Sequence, residues 1–239
     1  MSHLLIVTGG SAGIGRAVLA AAPDDCYRVG VSRTDPDLPG VVHHATDLAD
    51  PAAWSALGDE FDRLVHADDW TRVTFVHAAG TLAPIGFQGE VDHDAQAANV
   101  LLDAACPLVL AHRFLAAVRD LDVRRELVVL SSGAARTDYP GWATYGAAKA
   151  AVERWVSTVA AEQAERGGVR VLAVAPGVVA TGMQALIRDT DAHDFPRVER
   201  FRSLHAEGRL ADADDVSARL WALLDDPDAT DPLVDLRQR

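Results

Sequence analysis

The sequence predicts an α/β fold, a single doubly wound domain over residues 1–239 with a parallel sheet of about seven strands and helices on both faces. Two observations predict it. Short apolar runs rich in β-branched residues alternate with longer helical patterns, and the runs are apolar almost throughout, as strands buried on both faces are. No composition break, linker or internal repeat divides the chain.

The predicted elements follow in chain order. The β-branched runs predict strands at residues 4–8, 28–32, 41–45, 73–77, 126–131 and 169–175, and a weaker one at 233–236. Helical patterns between them predict helices at residues 13–22, 51–66, 92–119, 143–166 and 212–224. This order is typical of a Rossmann-type sheet. The more polar, less regular stretch 181–210 predicts a lid over the carboxyl edge of the sheet.

Composition narrows the class of protein. The net charge of −13 argues against nucleic acid or an anionic membrane as a partner. No uninterrupted apolar stretch reaches about 18 residues, so no membrane span is expected. Two isolated cysteines and an N-terminus without a basic region favour a reducing, cytoplasmic location. The nine histidines form no ligand-spaced cluster with carboxylates, so no metal site is expected.

A glycine-rich loop, "TGGSAGIG" at residues 8–15, follows the first strand and opens the first helix. Glycines let the backbone approach a pyrophosphate, and the helix N-terminus offers free N–H groups. The loop therefore predicts a dinucleotide cofactor, bound at Gly9, Ser11, Gly13, Ile14 and Gly15.

The end of the second strand predicts which dinucleotide is bound. An NAD-binding carboxylate is expected near Ser32, but the chain has Ser32 followed by Arg33. A cation pairs with the 2′-phosphate of NADP(H), which a carboxylate would repel. NADP(H) is therefore the predicted cofactor; the alternative is that Arg33 is a solvated loop arginine.

Lys149 is the only lysine among the 22 Lys+Arg residues, and Tyr145 lies one helical turn before it. Residues at i and i+4 share a helix face. An ammonium beside the phenol is expected to lower the tyrosine pKa from its ordinary value near 10. Such a phenol is a usable acid for protonating a carbonyl oxygen as hydride arrives. Ser131 and Ser132 end the fifth strand, where sites of α/β proteins are built.

Together these motifs resemble the short-chain dehydrogenase/reductase family. The matching segments are "TGGSAGIG", a serine 13 residues before the tyrosine, "YGAAK" at 145–149, "HAAG" at 77–80 and "PGVVAT" at 176–181. Within that family, "GWATYGAAKAA", "VRVLAVAPGVVATGMQ" and "VERFRSLHAEGRL" are similar to the sepiapterin reductase and benzil reductase subgroup, which reduces ketones and vicinal diketones with NADPH.

The resemblance implies a role for individual residues. Tyr145 would be the general acid, Lys149 would bind the nicotinamide ribose and Ser132 would orient the carbonyl. Asp47 would contact adenine, Gly80 would pass near the ribose and Thr181 would hold the carboxamide. The remaining implied cofactor contacts are Ala79, Pro176, Gly177 and Val179. The implied substrate contacts, besides Ser132, are Met183, Gln184 and Asp235, the last as a pterin anchor or as a cap of the strand-end turn. Trp142 is a further candidate, because it lies three residues before Tyr145 and is near enough to border the substrate. A homodimer through the two long helices is also implied.

Two departures from the family pattern matter. His77 and Ala78 replace two asparagines that tie strands together in the family, and His77 is interpreted as a packed strand-end histidine. The helix asparagine that anchors a proton-relay water in the family corresponds to Asp103, and Asn99, the only asparagine, lies one turn earlier. Either residue is a candidate for the relay. The preferred function is therefore NADPH-dependent reduction of a ketone or diketone; the alternative is a non-catalytic NADP-binding sensor or scaffold.

Overall fold

A parallel sheet of seven strands forms the centre of the structure, a computed structural model that describes residues 2–238. Met1 and Arg239, the two ends of the predicted domain, lie outside the described residues. The strands are β1 His3–Thr8, β2 Cys26–Ser32, β3 Val41–Ala45, β4 Arg72–His77, β5 Arg124–Leu130, β6 Arg170–Ala175 and β7 Leu233–Asp235.

The strand order is β3-β2-β1-β4-β5-β6-β7, and every neighbouring pair is parallel. This confirms the predicted doubly wound fold. The order reverses between β1 and β4, and in such sheets ligands bind outside the carboxyl ends of the strands at the reversal point. At that edge lie the glycine loop, which follows β1, and the carboxyl end of β5.

Helices cover both faces of the sheet: α1 Gly13–Ala20, α2 Ala52–Val65, α3 His93–Val100, α4 Cys106–Ala117, α5 Ala143–Arg166, α6 Gly182–Asp189, α7 Val198–Ala206 and α8 Ala213–Asp225. Successive side chains of a strand point to opposite faces of the sheet, so the core around the sheet consists of two clusters, one on each face. In β1, Leu4 and Ile6 pack in the cluster that includes α2, α4 and α5, whereas Leu5 and Val7 pack with α1 and α8.

The helix predicted at 92–119 is divided into α3 and α4 by a π-helical stretch, Leu101–Ala105. Pro107 has no N–H to donate to the carbonyl of Asp103, so the regular α-helical bond is missing at that point. The whole run His93–Ala117 is long and apolar enough to cross a membrane by length and composition alone, a test that core helices of soluble proteins also pass. Here it packs against the sheet through residues such as Leu110 and Phe114.

The prediction of an irregular stretch at 181–210 is wrong, because this segment contains α6 and α7. Ile187 on α6 and Val198 and Phe201 on α7 are buried in one cluster with Trp142 and Tyr145. Apolar positions three or four residues apart give each short helix a buried face, and the surrounding polar residues concealed that pattern. The segment therefore lies over the start of α5 as a packed helical pair.

Candidate functional site

The glycine loop between β1 and α1 has a backbone that side chains would obstruct. Gly9 and Gly13 have φ angles of +68° and +53°, in the left-handed region that favours glycine. A Cβ at Gly9 would lie 2.7 Å from the backbone nitrogen of Ala79, and one at Gly15 would lie 2.4 Å from the carbonyl oxygen of Gly9. The loop therefore packs closely on the end of β4 and leaves the start of α1 open to a ligand.

A cavity of about 670 Å³ runs along this edge of the sheet. It joins the glycine loop and the end of β2 to the start of α5 and to α6, so it is long enough to connect the predicted phosphate site with the predicted catalytic residues. The predicted residues that line it are Gly9, Ser11, Gly13, Ile14, Gly15, Ser32, Arg33, Asp47, Ala79, Gly80, Asn99, Tyr145, Lys149, Pro176, Thr181 and Met183. The predicted residues outside its lining are Asp103, Ser132, Trp142, Gly177, Val179, Gln184 and Asp235.

At the end of β2, the predicted cofactor residues Ser32 and Arg33 differ in whether their side chains are free to bind a ligand. The Ser32 hydroxyl is buried and donates to the carbonyl of Thr34 at 2.7 Å, so it shapes the turn. The Arg33 side chain is exposed, lines the cavity, and has no hydrogen-bond or ion-pair partner among residues 2–238. Its guanidinium is available to an anionic ligand. This exposed cation fits a 2′-phosphate.

Tyr145 and Lys149 share a buried face of α5, as their spacing predicts. The Lys149 ammonium lies 5.5 Å from the centre of the Tyr145 ring and donates to the carbonyl of Leu130 at 3.3 Å. Both side chains are buried, with 7% and 5% of their residue surface exposed. Ser132, which follows β5, accepts from the N–H of Ala134 at 3.1 Å, and its hydroxyl is close enough to the phenol to lower the pKa of Tyr145.

Asp103, on the π-helical stretch, is the second charged partner of Lys149. One carboxylate oxygen, Oδ2, lies 3.4 Å from the Lys149 Nζ, and the other accepts from the N–H of Thr81 at 2.7 Å. The Asp103 side chain is fully buried. A buried charge requires such partners because transfer from water is costly.

Asn99 has a different position from Asp103. Its amide nitrogen donates to the carbonyls of Thr81 and Ala83, at 3.1 and 2.9 Å, while its Oδ1 is buried without a protein partner among the described residues. Asn99 and Asp103 thus hold the two backbone groups of Thr81. The sequence offered no signal for Thr81, because it contributes through its backbone. The carboxylate, not the amide, is the group that contacts Lys149.

The ionisation of Tyr145 differs from the expectation. Burial raises the pKa of the phenol, and the carboxylate of Asp103 adds to the rise. Lys149 and the hydrogen bond with Ser132 oppose the rise without cancelling it. The prediction of a lowered tyrosine pKa is therefore wrong for this structure: the i+4 ammonium is present, but its effect is smaller than that of burial.

The pKa values of the two charged residues beside Tyr145, Asp103 and Lys149, are also shifted. Burial raises the pKa of Asp103, although Lys149 opposes this. For Lys149, burial acts against the charge, but attraction to Asp103 and Tyr145 leaves the pKa above its ordinary value. The lysine is therefore the group that carries its charge most firmly in the site.

His77 occupies a structural position at the end of β4. Its Nδ1 lies 3.0 Å from the hydroxyl of Thr8, which joins β4 to β1. Burial lowers the histidine pKa to about 3, with Lys149 contributing to the shift. A neutral, packed imidazole agrees with the interpretation as a strand-end residue.

The predicted substrate residues Trp142, Met183 and Gln184 differ in their surroundings. The Trp142 ring is buried. Its centroid lies 6.1 Å from that of the Tyr145 ring and 4.5 Å from that of Phe195, on which it stacks, so Trp142 packs against the predicted catalytic tyrosine as part of the core. Gln184 is buried and accepts from Arg188 at 3.0 Å, which points its oxygen along α6. Met183 reaches the cavity.

Asp235 is already engaged in the structure. Its Oδ1 accepts from the backbone N–H of Arg237 at 3.0 Å, which closes the turn after β7, and its carboxylate is ion-paired with the Arg237 guanidinium. Of the two predicted roles, the turn cap is the one that the structure contains. A pterin would have to displace Arg237 from this carboxylate to use it as an anchor.

A family model described as short chain dehydrogenase matches residues 3–192. The chain belongs to the short-chain dehydrogenase family. This confirms the family that the motifs indicated, and it makes the protein an oxidoreductase of a family that uses nicotinamide cofactors.

Relatives within the short-chain dehydrogenases agree with the predicted subgroup. The chain is 29% identical to a benzil reductase, (S)-benzoin forming, of Bacillus subtilis, over 99% of each chain. It is 30% identical to the sepiapterin reductase of Meriones unguiculatus, over 92% of this chain and 90% of that protein. The crystal structure of a short-chain dehydrogenase/reductase from Saccharomyces cerevisiae superposes with a TM-score of 0.84, at 24% identity over 98% and 96% of the two chains; that likeness concerns the fold.

Proposed function

We propose that this short-chain dehydrogenase is an NADPH-dependent carbonyl reductase that transfers hydride to a ketone or vicinal diketone. The observation that carries the proposal is that Tyr145 and Lys149 line one end of a cavity whose other end is the glycine loop, with Ser132 next to the lining residue Ser131. The relatives named as benzil and sepiapterin reductases support the substrate class.

The cavity fits a nicotinamide dinucleotide by the chemistry of its lining. The open start of α1 offers N–H groups to a pyrophosphate, Arg33 offers a cation to a 2′-phosphate, and Lys149 offers N–H donors to ribose hydroxyls. Asp47, Ala79, Gly80, Pro176 and Thr181 line the same cavity, whereas Gly177 and Val179 lie outside its lining. When bound, the cofactor supplies a hydride to the carbonyl carbon of the substrate.

The residues of the chain complete the reaction by moving one proton. Ser132 donates a hydrogen bond to the carbonyl oxygen and fixes its direction. Tyr145 transfers its phenolic proton to that oxygen, forming the O–H bond of the alcohol and a phenolate. Lys149 stabilises the phenolate electrostatically until solvent returns a proton to it. The raised pKa of Tyr145 keeps the phenol protonated, which is the form that reduction requires.

Asp103 is the residue we assign to the relay position, ahead of Asn99. Its Oδ2 is the buried acceptor beside Lys149, whereas the Asn99 amide holds the backbone of Thr81 and Ala83. A proton that returns from solvent to the Tyr145 phenolate by way of Lys149 would thus pass the carboxylate of Asp103. In the family pattern it would pass an asparagine amide at this position.

The proposal extends to partners and location. The substrate is a small molecule, and the acidic net charge makes nucleic acid and anionic membranes unsuitable partners. Exposed apolar residues on α3, α4 and the stretch between them, Val100, Leu101 and Val109, support a homodimer through these helices. A cytoplasmic location fits the two free, buried cysteines.

The direct test of the function is loss of NADPH absorbance with a panel of ketones, diketones and pterins. We expect the wild type to reduce at least one member, and Tyr145→Phe to lose about 10²- to 10⁴-fold in turnover, because the phenol supplies the proton. NADPH binding by the variant, measured by fluorescence, should remain. A wild type that binds NADPH but reduces none of the panel would favour the non-catalytic NADP-binding alternative.

Arg33 should decide between the two nicotinamide cofactors. Arg33→Ala removes a charge-assisted contact of about 1.5–3 kcal/mol, so we expect NADPH affinity to fall about ten- to a hundredfold while NADH affinity changes little. Calorimetric titration of both cofactors measures this. Arg154→Ala, which removes an exposed arginine on α5, is the matched control. Equal weakening of both cofactors by Arg33→Ala would contradict the assignment.

Asp103 should set the alkaline limit of reduction. The carboxylate raises the pKa of Tyr145 and of Lys149, so Asp103→Asn should lower both. Since reduction needs the protonated phenol, the alkaline limb of kcat/KM is expected at lower pH in the variant than in the wild type.

Asn99→Ala is the comparison variant for Asp103→Asn. It loosens the Thr81 segment and leaves the carboxylate in place, so it should lower turnover without moving the alkaline limb. Coincident limbs in wild type and Asp103→Asn would show that this carboxylate does not tune the acid.

A further inference from the structure

The carboxylate of Asp235, at the end of β7, is covered by an arginine two residues later. The Arg237 Nε lies 2.9 Å from the Asp235 Oδ1, and the Nη2 is paired with Oδ2. The Asp235 side chain keeps 11% of its surface exposed, while that of Arg237 keeps 56%. Hydrogen bonding to Arg237 holds the pKa of the carboxyl below its usual range, so both groups are charged and the pair is neutral overall.

The Arg237 side chain crosses the carboxyl edge of the sheet towards the catalytic serine. β7 is next to β6, which is next to β5, and the three strands end side by side. A Cβ at Gly177, after β6, would lie 3.0 Å from the Arg237 Cγ, so the side chain lies directly on that glycine. The Nη2 is 4.0 Å from the position of a Cβ at Gly133, the residue after Ser132. The guanidinium therefore reaches the strand end that carries Ser132.

The guanidinium keeps free donors at both terminal nitrogens. Asp235 takes the Nε–H and one N–H of Nη2, so the second N–H of Nη2, the nitrogen nearest Gly133, is left over, and within the described residues Nη1 has no hydrogen-bond partner. Nearby Arg136 does not add a free charge, because its Nε donates to Glu153 at 2.8 Å. A ligand beside Ser132 thus meets N–H donors from a neutral ion pair and finds the neighbouring carboxylate occupied.

We propose that Arg237 is a specificity-determining residue, whose free N–H donors bind a second, neutral acceptor oxygen adjacent to the carbonyl that Ser132 and Tyr145 hold. The substrate class selected is a vicinal diketone. A compound that must donate hydrogen bonds to Asp235 is disfavoured, because Arg237 already satisfies that carboxylate. An anionic keto acid gains little, because Asp235 neutralises the guanidinium. This inference rests on the proposed carbonyl reductase function and names its substrate class.

The test compares two substrates with the same skeleton, benzil, which has two adjacent carbonyls, and deoxybenzoin, in which a methylene replaces one of them. The ratio of their kcat/KM values is measured for wild type and Arg237→Met. Differences in intrinsic reactivity between the substrates cancel when the ratios are compared. We expect the benzil preference to fall about ten- to a hundredfold, the range for losing a hydrogen bond from a charged donor.

Two further variants keep the test decisive. Arg237→Met combined with Asp235→Asn removes the unpaired carboxylate and should show the same fall if the single variant is unstable. Arg154→Met changes the net charge equally on α5 and should leave the ratio unchanged. The KM for NADPH is measured in parallel, because Arg237 lies on Gly177, an implied cofactor contact, and a change in cofactor binding must be distinguished from a change in substrate preference.

The outcomes separate the two hypotheses. If the wild type reduces both substrates and the ratio is the same in the Arg237 variants, this inference is wrong and the reductase function stands. If the wild type reduces neither substrate nor any carbonyl of the wider panel, the proposed function fails, and this inference fails with it.

Discussion

The buried ammonium of Lys149 is the constraint on which the site depends. A charge so far from water needs a close counter-charge, and Asp103 provides one at 3.4 Å. The approach is possible because residue 80 is glycine: a Cβ there would lie 3.1 Å from the Asp103 Oδ2 and 3.4 Å from the Lys149 Nζ. The glycine at position 80 and the carboxylate of Asp103 are therefore both required to hold this one lysine.

The same ion pair sets the chemistry that the tyrosine can perform. In isolation, an ammonium one turn away would make the phenol more acidic. Burial and Asp103 reverse that tendency and keep the proton on Tyr145. For a reduction, which consumes that proton, the protonated phenol is the competent form. The raised pKa of the phenol therefore agrees with the reduction that we propose for this site.

The sequence predicted the features that depend on local pattern. Apolar runs identified all seven strands to within about two residues at each end, because burial on both sheet faces leaves a continuous apolar signal. The glycine loop and the i, i+4 pair of Tyr145 and Lys149 were also visible, since each is fixed by spacing along the chain.

Features that depend on contacts between distant segments were not predictable in this way. Nothing local indicated that Asp103 would meet Lys149, that the backbone of Thr81 would be held from both ends, or that Arg237 would cover Asp235. α6 and α7 were missed because their apolar faces are short and pack on Trp142, a partner 40 residues or more earlier in the chain. The pKa of Tyr145 was misjudged because the degree of burial is a tertiary property.

Replacement of the lysine by arginine tests the central claim most directly. Lys149→Arg keeps the charge but substitutes a wide planar fork for a compact ammonium in a space closed by Asp103, Gly80 and Tyr145. Turnover of benzil with saturating NADPH is measured together with the melting temperature. The account predicts a folded protein that has lost about a hundredfold or more of its kcat. A folded Lys149→Arg protein with near-wild-type turnover would contradict it.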